Sequence, residues 1–207
     1  MNHKLAPLTG VLFFALLVAG ILVEGFDTPN SDDSATKVLA YYQAHDTRIA
    51  ISAVLTVLAV FVGVIFYGML RDHLRRSEGM RGLTATAFGG VLLFAASGCL
   101  SAGANFALVD APNHLTAASA QTLHLIDQDL GSGFSDAGLA IMLFAFGLAI
   151  LQSRLLPRWL GWAALPVALI ALIPPIGFAA FLLGGFWTLA VSIAMWRRVA
   201  NAEAAVA

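Results

Sequence analysis

The stretch IAISAVLTVLAVFVGVIFYGML, Ile49–Leu70, decides the class of fold. It carries no charge, and its polar side chains are Ser52, Thr56 and Tyr67. A helix needs about 20 such residues to cross the hydrocarbon of a bilayer. The run is continuously apolar, whereas a membrane-barrel strand alternates over about 10 residues. It therefore reads as a transmembrane helix. Five more apolar runs accompany it: Leu8–Val23, Leu83–Val109, Phe134–Leu151, Pro157–Ile173 and Ile176–Trp196. The whole chain agrees. Of 207 residues, 59% are hydrophobic and 11% charged, with a mean hydropathy of +0.85. A soluble domain carries roughly 25% charged residues. The expected fold is an all-α membrane protein, a single domain over residues 1–207 built as a bundle of six transmembrane helices.

The last two runs are split by Pro174-Pro175. Adjacent prolines remove two backbone donors and disfavour helix at the residues before them. One unbroken helix through them would be about 57 Å long at 1.5 Å per residue, so the pair is read as a turn between two spans. The first run has the short apolar form of a secretory signal, but no small-residue cleavage site leads into Glu24. It is read as a retained first helix. The lone Cys99 lies mid-span and forms no intramolecular disulfide. No linker, low-complexity tract or inverted repeat of the transporter kind stands out.

Basic residues give the orientation. Nine of the 11 Lys and Arg fall on one side: Lys4, Arg71, Arg75, Arg76, Arg81, Arg154, Arg158, Arg197 and Arg198. Lys37 and Arg48 fall on the other, with most of the acids. The expectation is a cell-membrane protein with both termini cytoplasmic. Its two long outer loops each hold a short amphipathic helix. Ser34–His45 follows the capping residues Ser31, Asp32 and Asp33 and shows Val38, Leu39 and Tyr42 on one face. Ala117–Leu130 is capped by Asn113 or Thr116 and ended by Gly131-Ser132-Gly133. Tyr41 and Tyr42 suit the headgroup layer outside, as Trp159, Trp162 and Trp196 do inside.

The acidic outer loop with Tyr41-Tyr42, the basic turn Arg71–Arg81 and the heptapeptide Leu156-Pro157-Arg158-Trp159-Leu160-Gly161-Trp162 together resemble uncharacterised bacterial membrane proteins, many of them actinobacterial, grouped as domains of unknown function. The resemblance implies a bacterial cell membrane and a six-helix fold. It implies no catalytic residue.

Ser97, Ser101 and Asn105 recur every fourth residue and share one helix face. They are candidate ligand-binding residues, although small polar faces also serve as packing contacts worth roughly 0.6 kcal/mol each. Arg48 departs from the charge rule and is expected to pair with Glu24, Asp46, Asp110 or Asp136 near the outer boundary. His45, His114, His124 and Asp127 are the outer-face residues that a metal would use, but their spacing matches no known ligand motif. No metal and no cofactor is therefore expected. No histidine lies in a span to ligate haem. The span centres carry no charge, which argues against a proton-coupled pump. Nucleophile-elbow, zinc-protease and phosphate-loop motifs are absent.

The functional expectation is a non-catalytic membrane protein, either an accessory partner or a binder of a lipophilic ligand. Its partners are membrane lipids, another membrane protein or a second copy, and no nucleic acid. The alternative is a permease for a neutral or apolar substrate. The third reading is an outer-face metal enzyme.

Overall fold

A computed structural model of the chain describes residues 6–110, 115–173 and 176–204. Eight α-helices run through them: α1 (Thr9–Glu24), α2 (Ala35–Ala44), α3 (Asp46–Leu74), α4 (Arg81–Asp110), α5 (Ala117–Leu125), α6 (Ser132–Ser153), α7 (Arg158–Ala171) and α8 (Gly177–Ala204). No strand occurs among the described residues. Four helical stretches are long and apolar enough to cross a membrane: Asp46–Leu74, Arg81–Val109, Ala117–Ser153 and Gly177–Arg198. α1 and α7 are apolar but shorter. At 1.5 Å per residue they reach about 24 and 21 Å, short of a hydrocarbon core of about 30 Å. Leu22, Phe61, Trp162, Leu169 and Phe186 stand exposed on the outside, where lipid is the fitting solvent.

α1, α3, α4, α6 and α8 form a ring, each packed on the next, and α7 lies against α6 and α8. The end where α3 finishes and α4 begins carries Arg71, Arg75, Arg76 and Arg81 and is called the basic end. The opposite end, where α1 finishes and α3 begins, is the acidic end. Towards the basic end the ring is closed. Phe66, Leu70, Leu143, Phe146, Ile150 and Val191 are fully buried there. Tyr67 stacks on Phe146 with ring centroids 5.9 Å apart. Its hydroxyl lies 2.5 Å from Thr188 Oγ1. Thr188 donates its own proton to Gly184 O at 2.8 Å, so Tyr67 is the donor to Thr188. Trp187 Nε1 donates to Leu160 O at 2.8 Å and ties α8 to α7. Backbones touch where α4 crosses α6. A Cβ on Gly90 would stand 2.5 Å from Met142 N, and one on Gly138 would stand 2.5 Å from Phe94 N.

The two short loop helices are present at the acidic end. Ser34 caps α2 by accepting from Lys37 N–H at 3.4 Å, and Thr116 caps α5 by accepting from Ser119 N–H at 3.2 Å. They pack on each other and on the ends of α3 and α4 through Val38, Tyr42, Ile49, Leu108 and Ala120. A lid of protein thus forms on the bundle. Asn113, the other expected cap, and the Pro174-Pro175 pair lie outside the described residues. α7 ends at Ala171 and α8 starts at Gly177, packed against it.

One expectation needs correction. Gly131-Ser132-Gly133 does not end the helix before it. Ile126–Gly131 forms a π-helical turn, and the helix runs on into α6. Glycine inside a helix costs about 1 kcal/mol relative to alanine. Packing of the π turn on α4, α5 and α6 holds it here.

Candidate functional site

Towards the acidic end the ring splays around a cavity of about 560 Å³. Its wall takes side chains from α1, α3, α4, α6, α8 and the π turn. Phe13, Leu17, Phe94 and Phe181 make an apolar floor, with the Phe94 and Phe181 rings 5.9 Å apart. Along α1 the wall runs from Glu24 down to Phe13, a depth of about 16 Å at 1.5 Å per residue. That is about half the hydrocarbon thickness.

The rim is polar: Thr56, Ser97, Ser101, Gln128, Ser132 and Ser135 line it with three acids, Glu24, Asp127 and Asp136. Each acid is held in place. Ser52 Oγ donates to Glu24 Oε2 at 3.1 Å. Ser101 donates to the Asp127 carboxylate. Asp136 rests on the amino end of α8, where a Cβ at Gly177 would fall 2.6 Å from its Oδ2. Only a glycine lets that helix end, with its partial positive charge, come so near. Glu24 and Asp127 lie within electrostatic range of each other. Among the described residues no Lys, Arg or His lines the cavity.

The π turn aims Asp127 and Gln128 into this hollow. It is moored from behind. Gln128 Nε2 donates to Pro29 O at 3.1 Å, and Gln121 Nε2 donates to Asp33 O at 3.2 Å. His124 is buried between Tyr42 OH, 3.0 Å from its Nδ1, and Pro29 O, 3.1 Å from its Nε2. The carbonyl can only accept, so Nε2 carries the proton and Nδ1 accepts from Tyr42. Burial raises the Tyr42 phenol above its ordinary value, which keeps the donor protonated.

Several sequence-derived candidates are placed by this geometry. Ser97 and Ser101 line the cavity, whereas Asn105, one turn further along α4, is buried and does not. The helix face is shared, but beyond Ser101 it enters the lid. Arg48 pairs with Asp27, not with Glu24, Asp46 or Asp136. Its Nη2 is 2.7 Å from Asp27 Oδ1 and 2.6 Å from Tyr41 OH, and its guanidinium lies 5.6 Å from the Tyr41 ring centre. Gly25, at φ +83°, ends α1 and turns the chain so that Asp27 meets Arg48. The hydrogen bond from Arg48 holds the Asp27 carboxyl below the usual carboxylate range. The Asp110 side chain and His114 lie outside the described residues.

The outer histidines are apart in their bonding. His45 Nδ1 lies 2.9 Å from Tyr41 O, while both ring nitrogens of His124 are engaged elsewhere. Among the described residues no three His, Cys, Asp or Glu side chains gather to hold a metal. Sequence reading missed that Glu24, Asp127 and Asp136 line one cavity. Each stands near a helix end, and a terminal acid reads as part of the charge asymmetry between the two faces.

No curated protein and no solved structure matches the chain. Residues 8–207 match a family described as a domain of unknown function, DUF4386. With nearly the whole chain inside that match, the protein belongs to the DUF4386 family.

Proposed function

We propose that this protein binds a small amphiphile, apolar in body and cationic in head, within the plane of a bacterial cell membrane. The observation that carries the reading is the cavity: a phenylalanine floor below three carboxyl groups, with no basic side chain among the described residues of its lining. A volume of about 560 Å³ falls in the usual range for small-molecule sites. The aromatic floor suits a hydrocarbon or ring, and the faces of its rings add attraction for a cation. An entering cation favours the ionised form of the acids around it. The proposed role is binding, without catalysis.

In this reading α1, α3, α4, α6, α7 and α8 all span, giving six crossings with both termini in the cytoplasm. The nine-to-two division of Lys and Arg supports that orientation. The cavity then opens outward. The short α1 and α7 match the bilayer by local thinning or by borrowing flanking residues.

The test is binding of a dansyl-labelled alkylamine to the full chain in nanodiscs, followed by fluorescence. The expected result is saturable binding that Ser135→Phe, which fills the cavity, abolishes while the thermal midpoint moves by only a few degrees. Binding of the same strength to Ser135→Phe places the probe elsewhere and ends the reading. A second reading, a carrier for a neutral or apolar substrate, draws on one observation. The cavity reaches mid-depth from one end while the other half is sealed, as in one state of an alternating-access cycle. Flux of a neutral dansyl alkylamide across reconstituted vesicles, lost in Ser135→Phe, distinguishes it from binding alone.

A further inference from the structure

A second hollow lies at the basic end and owes nothing to the cavity above. Arg71 from the last turn of α3, Arg75 at its C-cap, and Arg81 and Thr84 from the first turn of α4 surround about 340 Å³. Three guanidinium groups converge there, and the nearby acids balance them poorly. Asp72 meets Arg75 Nε at 3.3 Å, but both side chains are more than half exposed. Glu78, in the turn, is exposed and forms no ion pair within 4.0 Å among the described residues. Arg71 is the innermost of the three. Its guanidinium lies 5.3 Å from the Phe88 ring centre, and its Nε is buried with no hydrogen-bond partner. The amino end of α4 contributes partial positive charge on the same side. Like charges brought this close are stable when an anion sits among them, and the planar fork of arginine matches the oxygens of a phosphate.

The surroundings choose between a free anion and a lipid. From Arg71 the same face of α3 continues at helical spacing through Gly68 and Val64 to Phe61, which is exposed. From Arg81 the matching face of α4 runs through Thr84 and Phe88 to Leu92, also exposed. Gly68 leaves a shallow place there, since even an added Cβ would reach no closer than 3.9 Å to Phe88. An apolar seam between α3 and α4 thus runs from the arginines to the exposed Phe61 and Leu92. Basic pockets at the ends of membrane helices are suited to anionic headgroups.

We propose that this hollow is a binding site for the phosphate of an anionic phospholipid, whose acyl chain lies along the α3–α4 seam. The test follows thermal unfolding of the full chain in neutral detergent at fixed ionic strength. The chain is titrated with dioleoylphosphatidylglycerol, dioleoylphosphatidylcholine or sodium phosphate. Phosphatidylglycerol is expected to stabilise with a midpoint at least tenfold lower than either of the others. Arg81→Gln, at an exposed position that folding tolerates, should raise that midpoint about fivefold, and adding Arg75→Gln should raise it about fivefold again, one factor for each charge lost near the surface. Arg158→Gln, at the same end but outside the hollow, should leave it unchanged. Equal stabilisation by sodium phosphate would identify a free-anion site and overturn the lipid assignment. Equal stabilisation by phosphatidylcholine removes the headgroup preference, and an Arg158→Gln effect as large as that of Arg81→Gln reduces the hollow to diffuse basic charge. Either result overturns the proposal.

Discussion

The two halves of this bundle use the same helices for opposite purposes. Towards the basic end Phe66, Leu70, Phe146 and Val191 fill the ring, and Tyr67, Thr188 and Trp187 bond to a side chain or to main-chain carbonyls within it. Towards the acidic end the same α1, α3, α4, α6 and α8 separate around a hollow whose polar groups face inward. Glycine makes the difference visible. At Gly90 and Gly138 there is no room for even a methyl group between α4 and α6. At Gly20, on the cavity wall, an added Cβ would meet Leu55 at an ordinary 3.8 Å. Small residues in a membrane helix therefore do two jobs here: they let backbones touch, or they leave space. Which job a glycine performs depends on the helix opposite.

Substitutions at these glycines give the strongest contrast. Gly138→Val should cost about 3 kcal/mol or more, because backbone must move to admit it. It should appear as loss of the monodisperse protein after detergent extraction. Gly20→Ala should instead be neutral or stabilise by up to about 1 kcal/mol through helix propensity. Equal damage from both would erase the distinction between the halves. Next in size is Trp187→Phe, which removes the donor that ties α8 to Leu160 O and leaves a void where part of a buried indole stood. A stability loss of about 1–3 kcal/mol is expected, read from thermal unfolding.

His124→Leu sharpens the comparison from the other side. It removes both contacts of a buried ring and frees Tyr42 and Pro29, for about 1–2 kcal/mol. The damage should be local. Hydrogen exchange should quicken in α2, α5 and the π turn, and amine binding should weaken, while α7 and α8 keep their protection. Uniform loss of protection across the helices would mean that the lid and the sealed half unfold as one unit.

The smallest effect concerns acid. The Arg48 contact lowers the Asp27 carboxyl, so what it contributes is present above the ordinary carboxylate range, near pH 4. It is lost only as the pH falls through the lowered value. Exchange at α2 amides, corrected for the intrinsic rate, should stay flat from pH 8 to 5 and rise towards pH 3. Asp27→Asn should show the faster exchange at every pH. A step near pH 6 would point to a histidine instead.

Much of the architecture was legible because hydropathy depends on residues near in sequence. Ile49–Leu70 sits within α3, and Leu83–Val109 within α4. Thr116, one of two expected caps, was readable because a hydroxyl before a helix has few other uses, whereas for α2 the expected caps Ser31, Asp32 and Asp33 give way to Ser34, one residue later. Pairing across the fold was not. The expected partners of Arg48 were Glu24, Asp46, Asp110 or Asp136, and Asp27 was not among them, since the choice rests on the turn at Gly25. The cavity was half legible. The Ser97–Ser101 face announced an interior, but its depth depends on where α4 and α6 touch and then diverge. No periodicity in one helix records that.

The π turn has a consequence of phase. Successive residues of an α-helix advance about 100° around its axis. An unbroken α-helix from Ala117 to Ser153 would fix the faces of α5 and α6 relative to each other. One extra residue in the turn shifts that relation. Ala120 and His124 then meet the lid while Ser135 and Asp136 meet the hollow. Deleting a single residue within Ile126–Gly131 would restore regular winding and rotate one set out of register with the other. The turn acts as a vernier between two rigid bodies. The length of this short segment, as well as its composition, is therefore under constraint.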